Sequence, residues 1–414
     1  MSHKPVAIVL GGTNPHIALI KNLQARGYYT ILVDFLDNPP AAIFSDNHLQ
    51  ESTLDQDAVL EMAKKTNAKL VISACIDQAN VTACYVTEQL GLPAPYSYET
   101  ALKVTNKGRM KELMLELGIP TARHVCVKSV QDFYEAGLTY PVVVKPADSN
   151  GSAGVRKACS EEELLAFLPQ ALEISRIKQA IVEEFVDGVE VSADCWVNHG
   201  DAHVALVRQK FEMNAGWGTV IQSPGSYAPA NISEVAKQKL ADITKRIADA
   251  LCLNTTTFLL QAFVKGDDVN IIEYAPRVGG GMSFRTIELL TGLDFVDLTV
   301  DSYLGDAKEI TVDNVTGYYS TNIIYAKSGV FDRLEGVEQL IKDGVVEEMH
   351  FYKTRGMAIG DDMSTRSRIG AFLIHAKERG QLLEKLKIAV ERLEVFDAEG
   401  NALMRKDIYD RIDV

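Results

Sequence analysis

Unbroken apolar runs alternate with amphipathic stretches from the start of the chain. Residues 5–12 read PVAIVLGG, a short apolar run ending in two glycines, which suits a strand buried on both faces. A helical pattern continues to about residue 26. The run TILVD then ends at Asp34, a helical stretch covers 57–65, and KLVISAC follows at 69–75. Strands alternating with helices predict a parallel α/β sheet. Residues 92–111 pass from a proline-punctuated loop into a helix carrying Lys103, Lys107, Arg109 and Lys111, which is expected to present a solvated basic face.

The middle of the chain changes character. Residues 140–145 (YPVVVK) form a β-branched run ending in Lys145, followed by the small residues PADSNGSAGV, whose backbone amides can fold over an anion. Residues 180–194 (AIVEEFVDGVEVSAD) read as a strand, a turn at Asp187-Gly188 and a second strand, with Glu183, Glu184 and Glu190 as surface charge on the simplest reading. Residues 211–229 form a long connection containing glycine, proline and serine, a candidate lid or substrate loop, and a helix over 232–251 follows. Residues 258–281 (FLLQAFVKGDDVNIIEYAPRVGGG) read as two strands joined at Lys265-Gly266-Asp267-Asp268. Antiparallel pairing sets Gln261 beside Glu273, two oxygen donors facing one space, with Arg277 beyond them; this suits Mg2+ and phosphate. Three glycines then lead into a helical pattern from Ser283, an approach that suits an anion.

Past residue 305 the runs GYYSTNIIYA, VVEEMHFY and AFLIHA and two helical stretches predict a smaller α+β cap. Its concentrated positive features, Arg355-Gly356 and residues 365–370, are expected on surface loops. At 414 residues and 47% hydrophobic composition, the chain is long enough for about two to four packed units. A net charge of -14 argues against general affinity for nucleic acid or an anionic membrane, so an anionic ligand must be met by local cations. No window approaches the roughly 18 continuous apolar residues of a membrane span, and the N-terminus lacks a secretory pattern; a cytoplasmic location is expected. Six scattered cysteines without C-x-x-C spacing suggest reduced thiols, and His199 and His203 flank a Gly200-Asp201 turn, a poor zinc arrangement. The loop GGTNPH lacks the dinucleotide spacing, which disfavours an NAD-dependent oxidoreductase, although Gly11, Gly12 and Thr13 can lodge a carboxylate or phosphate as readily as form a simple turn.

The order of these parts resembles the ATP-grasp superfamily: an α/β domain, a lysine-bearing helix, VVVKP with a glycine loop, EEFVDGVE, and Q…E-x-A-x-R-x-G-G-G. The resemblance implies three units: an N-terminal α/β domain over 1–105, a two-lobed ATP-grasp domain over 106–310 with a lid at about 121–188, and a small α+β domain over 311–414. It implies that Lys107 and Lys145 contact nucleotide phosphates and that Ser149, Asn150, Gly151, Ser152, Ala153 and Gly154 form the lid loop. Glu183, Glu184, Phe185 and Val186 fall on the adenine-contacting segment and Glu190 on the ribose-binding acid. Gln261 and Glu273 fall on metal positions, for Mg2+ or Mn2+. Arg277 matches the arginine near the transferred phosphate, and Lys145 shares its catalytic role. Gly279, Gly280 and Arg285 are candidate substrate contacts. Position 275, commonly an asparagine ligand, is Ala275, which places most of the metal binding on Glu273.

The run after Arg277 is closer to L-amino-acid ligases than to biotin carboxylases. The implied activity is an ADP-forming ligase that joins a small-molecule carboxylate to an amine through an acyl phosphate. The resemblance allows a homodimer. The alternatives are a carbamoyl-phosphate-synthetase-like or purine-pathway enzyme and a catalytically weakened ATP-binding protein.

Overall fold

The computed structural model describes residues 4–149, 154–213, 224–306, 308–312, 315–360 and 365–413. The N-terminal sheet is parallel, in the order Asn47–Gln50, Tyr29–Asp34, Val6–Leu10, Leu70–Ile72. The edge strand Asn47–Gln50 is polar and short, so its sequence carries no apolar run; it forms because Tyr29–Asp34 offers it an unpaired edge. The expected run 69–75 is strand only over Leu70–Ile72. Helix Asp77–Leu90 starts shortly afterwards and delivers Asp77 to the strand ends.

The turn after Val6–Leu10 is built on His16. Thr13 Oγ1 lies 2.8 Å from His16 Nδ1, and Ser73 Oγ lies 3.2 Å from Nε2. Gly11 has φ +109°, and a Cβ there would meet the His16 ring at 2.8 Å, so both conformation and space require glycine. His16 is fully buried, and burial drives its pKa down to about 3 against the pull of the Leu10 carbonyl.

The centre is an eight-stranded antiparallel sheet in the order Asp268–Ala275, Thr255–Lys265, Val189–Asn198, Asp201–Lys210, Gly225–Ala228, Tyr318–Tyr325, Arg368–Ala376, Glu348–Phe351. Side chains alternate across it. Val191, Ala193, Cys195, Phe258, Leu260 and Ala262 turn to one face and pack with Leu240, Ile243 and Ile247 of helix Glu234–Ala250. The residues between them turn to the other face. Three strands of the C-terminal segment extend the central sheet; two small two-stranded sheets, Gly329–Val330 with Ala358–Ile359 and Arg333–Glu335 with Glu394–Phe396, stay within it, and Leu340, Phe372, Leu386 and Val395 give it a separate core.

A second antiparallel sheet, His124–Val127, Ala180–Glu184, Val142–Pro146, Arg156–Ala158, has a core built on Val127, Phe133, Val144 and Leu168. The two strands read in 180–194 therefore belong to different sheets: Ala180–Glu184 stays in the small one and Val189–Asn198 enters the large one. Gly188 makes the crossing, since a Cβ there would stand 2.7 Å from the Val264 carbonyl oxygen. No helix among the described residues is long and apolar enough to cross a membrane.

The basic helix also differs from expectation. It is broken into Tyr98–Val104 and Lys107–Glu116, because Asn106 caps the second helix by accepting from the Arg109 amide at 3.1 Å. Lys107 thus begins a helix. Lys111, expected in solvent, is 1% exposed.

His16 sets an acid limit on the fold. Below its unfolded pKa of about 6.5 the unfolded chain takes up a proton that the folded chain refuses, so stability is present at neutral pH and falls toward pH 3, by up to about 1.4 kcal/mol per unit. In His16→Gln, urea unfolding across this window is expected to lose about one proton of pH dependence. An unchanged slope would contradict the assignment.

Candidate active site

The polar face of the central sheet carries the candidate residues in a cross-strand row. Arg208 pairs in register with Ser192, Ser192 with Gln261, and Gln261 with Glu273. A bulge follows at once, as Ala262 pairs with Ile271 and leaves Ile272 without a register partner; bulges re-aim neighbouring side chains. Gln261 Nε2 donates to Ser192 Oγ at 3.3 Å. Flanking this row, Glu190 pairs with Lys210, and Asp194 holds Arg208 through Nε at 2.6 Å and Nη2 at 3.0 Å.

Above the sheet stands a buried cluster of three charges. Glu183 Oε1 accepts from Lys145 Nζ at 2.6 Å, and Oε2 lies 3.0 Å from Lys111 Nζ, an ion pair without hydrogen-bond alignment. Lys111 donates instead to Thr121 Oγ1 at 2.5 Å, and Thr121 donates to the Ile271 carbonyl at 2.7 Å, two residues before Glu273. Burial alone would raise the Glu183 pKa, but Lys145 and Lys111 overcome it and hold the carboxylate at about 2. Lys111 moves down, chiefly through burial. Lys107 donates to the Ser149 carbonyl and stands 3.7 Å from Glu273 Oε2, so it spans the small sheet's loop and the hairpin.

Arg277 reaches the start of helix Asp77–Leu90, where Nε and Nη2 meet the two oxygens of Asp77 at 2.8 and 3.1 Å. In these ion pairs six cations (Lys107, Lys111, Lys145, Arg208, Lys210, Arg277) face five carboxylates (Asp77, Glu183, Glu190, Asp194, Glu273). A chain of net charge -14 thus concentrates a locally positive region.

The structure separates other candidates from this group. Glu184 turns away to Arg123 at 2.9 Å and to the Thr139 amide at 3.0 Å. Phe185 is exposed beneath Lys157, whose Nζ lies 3.6 Å from the ring centroid; Val186 is half-buried, at the crossing between the sheets. Arg285 is fully engaged, with Nε and Nη2 on Glu348 at 2.9 and 2.6 Å and Nη1 on Glu288 at 2.7 Å. Gly279 is buried on the path to helix Ser283–Thr291, and Gly280 is exposed. Of the lid loop, Ser149 and Gly154 are described; Asn150, Gly151, Ser152 and Ala153 lie outside the described residues, as does most of the 211–229 connection.

Sequence reasoning missed Lys111 as a partner of Glu183, and Asp194, Arg208 and Lys210 altogether. The last two carried a usable signal: after the apolar run VALV they stand two residues apart, a strand's period, so both turn to one face.

For a metal, Glu273 offers a carboxylate and Gln261 an adjacent amide. Among the described residues no three His, Cys, Asp or Glu side chains converge, so a protein-only metal cage is lacking, and an ion here suits a site completed by phosphate oxygens and water.

Residues 138–285, which hold most of this face, match the family model of the ATP-grasp domain. That segment is therefore assigned to the ATP-grasp domain. Over 61% of its length it is 28% identical to the formate-dependent phosphoribosylglycinamide formyltransferase of a Nitratiruptor species, spanning 65% of that protein. It is 23% identical over 68% of its length to the carbamoyl phosphate synthase large chain of Clostridium acetobutylicum, of which it spans 26%. The chain thus covers less than two thirds of either relative. The L-amino acid ligase from Bacillus licheniformis matches with a TM-score of 0.78 over 95% of this chain and 99% of that one; at 19% identity, this shows a shared fold.

The buried charges carry an unequal stability cost. Glu183→Gln leaves two neighbouring buried ammonium groups without their carboxylate and is expected to cost about 3–5 kcal/mol. Lys111→Met leaves the Lys145–Glu183 pair intact and should cost clearly less. Urea unfolding of both variants at pH 7 checks this, and equal losses would contradict the account.

Proposed function

We propose that the chain is an ATP-dependent, ADP-forming ligase that joins a small-molecule carboxylate to an amine through an acyl phosphate. The observation that carries this reading is Lys107, held between the Ser149 carbonyl of the glycine loop and Glu273 of the hairpin. An ammonium at that junction suits a polyphosphate lying between the two sheets. Lys145 is the second phosphate contact, oriented by Glu183. The crossing at 183–186 would receive adenine and Glu190 the ribose hydroxyls, exchanging Lys210 for nucleotide. The working domain boundaries are 1–105, 106–310 and 311–414, with the lid at about 121–188.

Glu273 and Gln261 would hold Mg2+ or Mn2+, which when bound neutralises charge on the phosphate oxygens. Arg277, pinned through Nε and Nη2 by Asp77 and through Nη1 by the Val278 carbonyl at 3.1 Å, would turn the second N–H of each Nη to charge developing on the transferred phosphoryl group. No protein nucleophile is required; positioning and electrostatics supply the catalysis. Amino-acid-like substrates are favoured by the sequence after Arg277. A second reading, a purine-pathway reaction, is favoured by the likeness to the formyltransferase, and ADP release driven by formate with a ribonucleotide amine would select it.

The test is ADP and phosphate release across a panel of carboxylate and amine pairs. With a productive pair in hand, Glu273→Gln is expected to lower turnover by at least about a hundredfold, the order seen when a transition-state contact is lost. Its circular dichroism and thermal midpoint should match wild type. Near-normal turnover would remove Glu273 from the metal site.

A further inference from the structure

The glycine run after Arg277 ends at helix Ser283–Thr291, whose start carries no side-chain cap and no acidic residue in its first turn. The Ser283 amide donates to the Gly280 carbonyl at 3.4 Å, and the amides after it in the first turn lack a side-chain cap. Ser283, the first helical residue, is 2% exposed, and its Oγ has no hydrogen-bond partner among the described residues. Leaving such a buried hydroxyl unpaired is unfavourable, and a ligand oxygen would relieve it.

A guanidinium faces the same place. Both groups pack against Gly279: a Cβ there would stand 2.6 Å from Ser283 Oγ and 3.2 Å from Arg208 Nη2, so only glycine lets them come this near. Asp194, 1% exposed, fixes Arg208 through Nε and Nη2, while Nη1 has no partner among the described residues. Arg285, two residues along the helix, has Nε, Nη1 and Nη2 all committed to Glu348 and Glu288. An oriented guanidinium, an unpartnered hydroxyl and an uncapped helix start converge with only donors left to satisfy.

We propose that Arg208, Ser283 and the first-turn amides of helix Ser283–Thr291 bind a substrate carboxylate that is not consumed in the reaction. The proposal rests on the ligase reading above and narrows its substrate class. Asp194 already neutralises Arg208 from behind, so a monoanion matches the site better than a phosphate dianion. One of the two substrates then carries a spare carboxylate, as an amino acid does, and transfers its register to the reacting centre through this anchor.

The test is calorimetry on the full chain with Mg2+ and a non-hydrolysable ATP analogue, titrating single L-amino acids, their C-terminal amides and inorganic phosphate. At least one amino acid is expected to bind, its amide at least about tenfold more weakly, and phosphate not to compete. Ser283→Ala should weaken that amino acid several-fold and leave the affinity for the analogue unchanged; Arg208→Lys should weaken it further. Ser283→Ala keeps the Asp194–Arg208 pair, so it reads the site even if the arginine variant fails to fold. Equal binding of acid and amide, wild-type affinity in Ser283→Ala, or displacement by phosphate would each overturn the site. Analogue binding with no amino-acid binding overturns this site alone, whereas failure to bind the analogue overturns the ligase reading and this site with it.

Discussion

Glu183 sits between two lysines, and much of the site depends on that arrangement. A carboxylate and two ammonium groups removed from water are costly unless each has a partner, and the three satisfy one another only if their elements keep a fixed distance. Lys145 comes from Val142–Pro146, Glu183 from the adjoining Ala180–Glu184, and Lys111 from the helix beneath. The Lys111–Thr121–Ile271 bonds then tie this cluster to the strand that carries Glu273. The triad therefore links the small sheet to the large one and holds an excess positive charge where a polyanion would lie.

The same economy runs through the rest of the face. Nearly every cation offered to a ligand is held by a carboxylate: Arg208 by Asp194, Lys210 by Glu190, Arg277 by Asp77. These pairs limit side-chain motion before anything binds, which lowers the ordering cost on binding. Two of the ion pairs also join distant parts of the chain. Arg277–Asp77 fastens the glycine run to helix Asp77–Leu90, and Arg285–Glu348 fastens the following helix to the strand Glu348–Phe351. The segment from Arg277 to Arg285 is thereby fixed at both ends.

Arg285 illustrates a limit of motif reasoning. Its place just after three glycines suits a ligand contact, but two glutamates from different elements occupy it. Arg208 belongs to no recognisable motif, yet the sheet register sets it in the row with Gln261 and Glu273 and against Gly279. Lys111 likewise read as a solvent-facing charge because four basic residues lay close in sequence. Asn106 divides that stretch into two helices and changes the direction in which each lysine points.

Local sequence by itself determined the parallel N-terminal sheet, the hairpin with Gln261 opposite Glu273, and the glycine approach to a helix. Each depends on the period of apolar residues or on turn chemistry within about thirty residues, and such short-range constraints are written into the chain directly. Only the tertiary structure decided that the two strands of 180–194 part into different sheets, that three C-terminal strands extend the central one, and that Lys111, Arg208 and Asp77 stand beside the candidate residues. Those outcomes depend on which sheet edge is left unpaired and which buried charge finds its counter-ion, contacts spanning up to 200 residues for Arg277 and Asp77, and no local pattern encodes them.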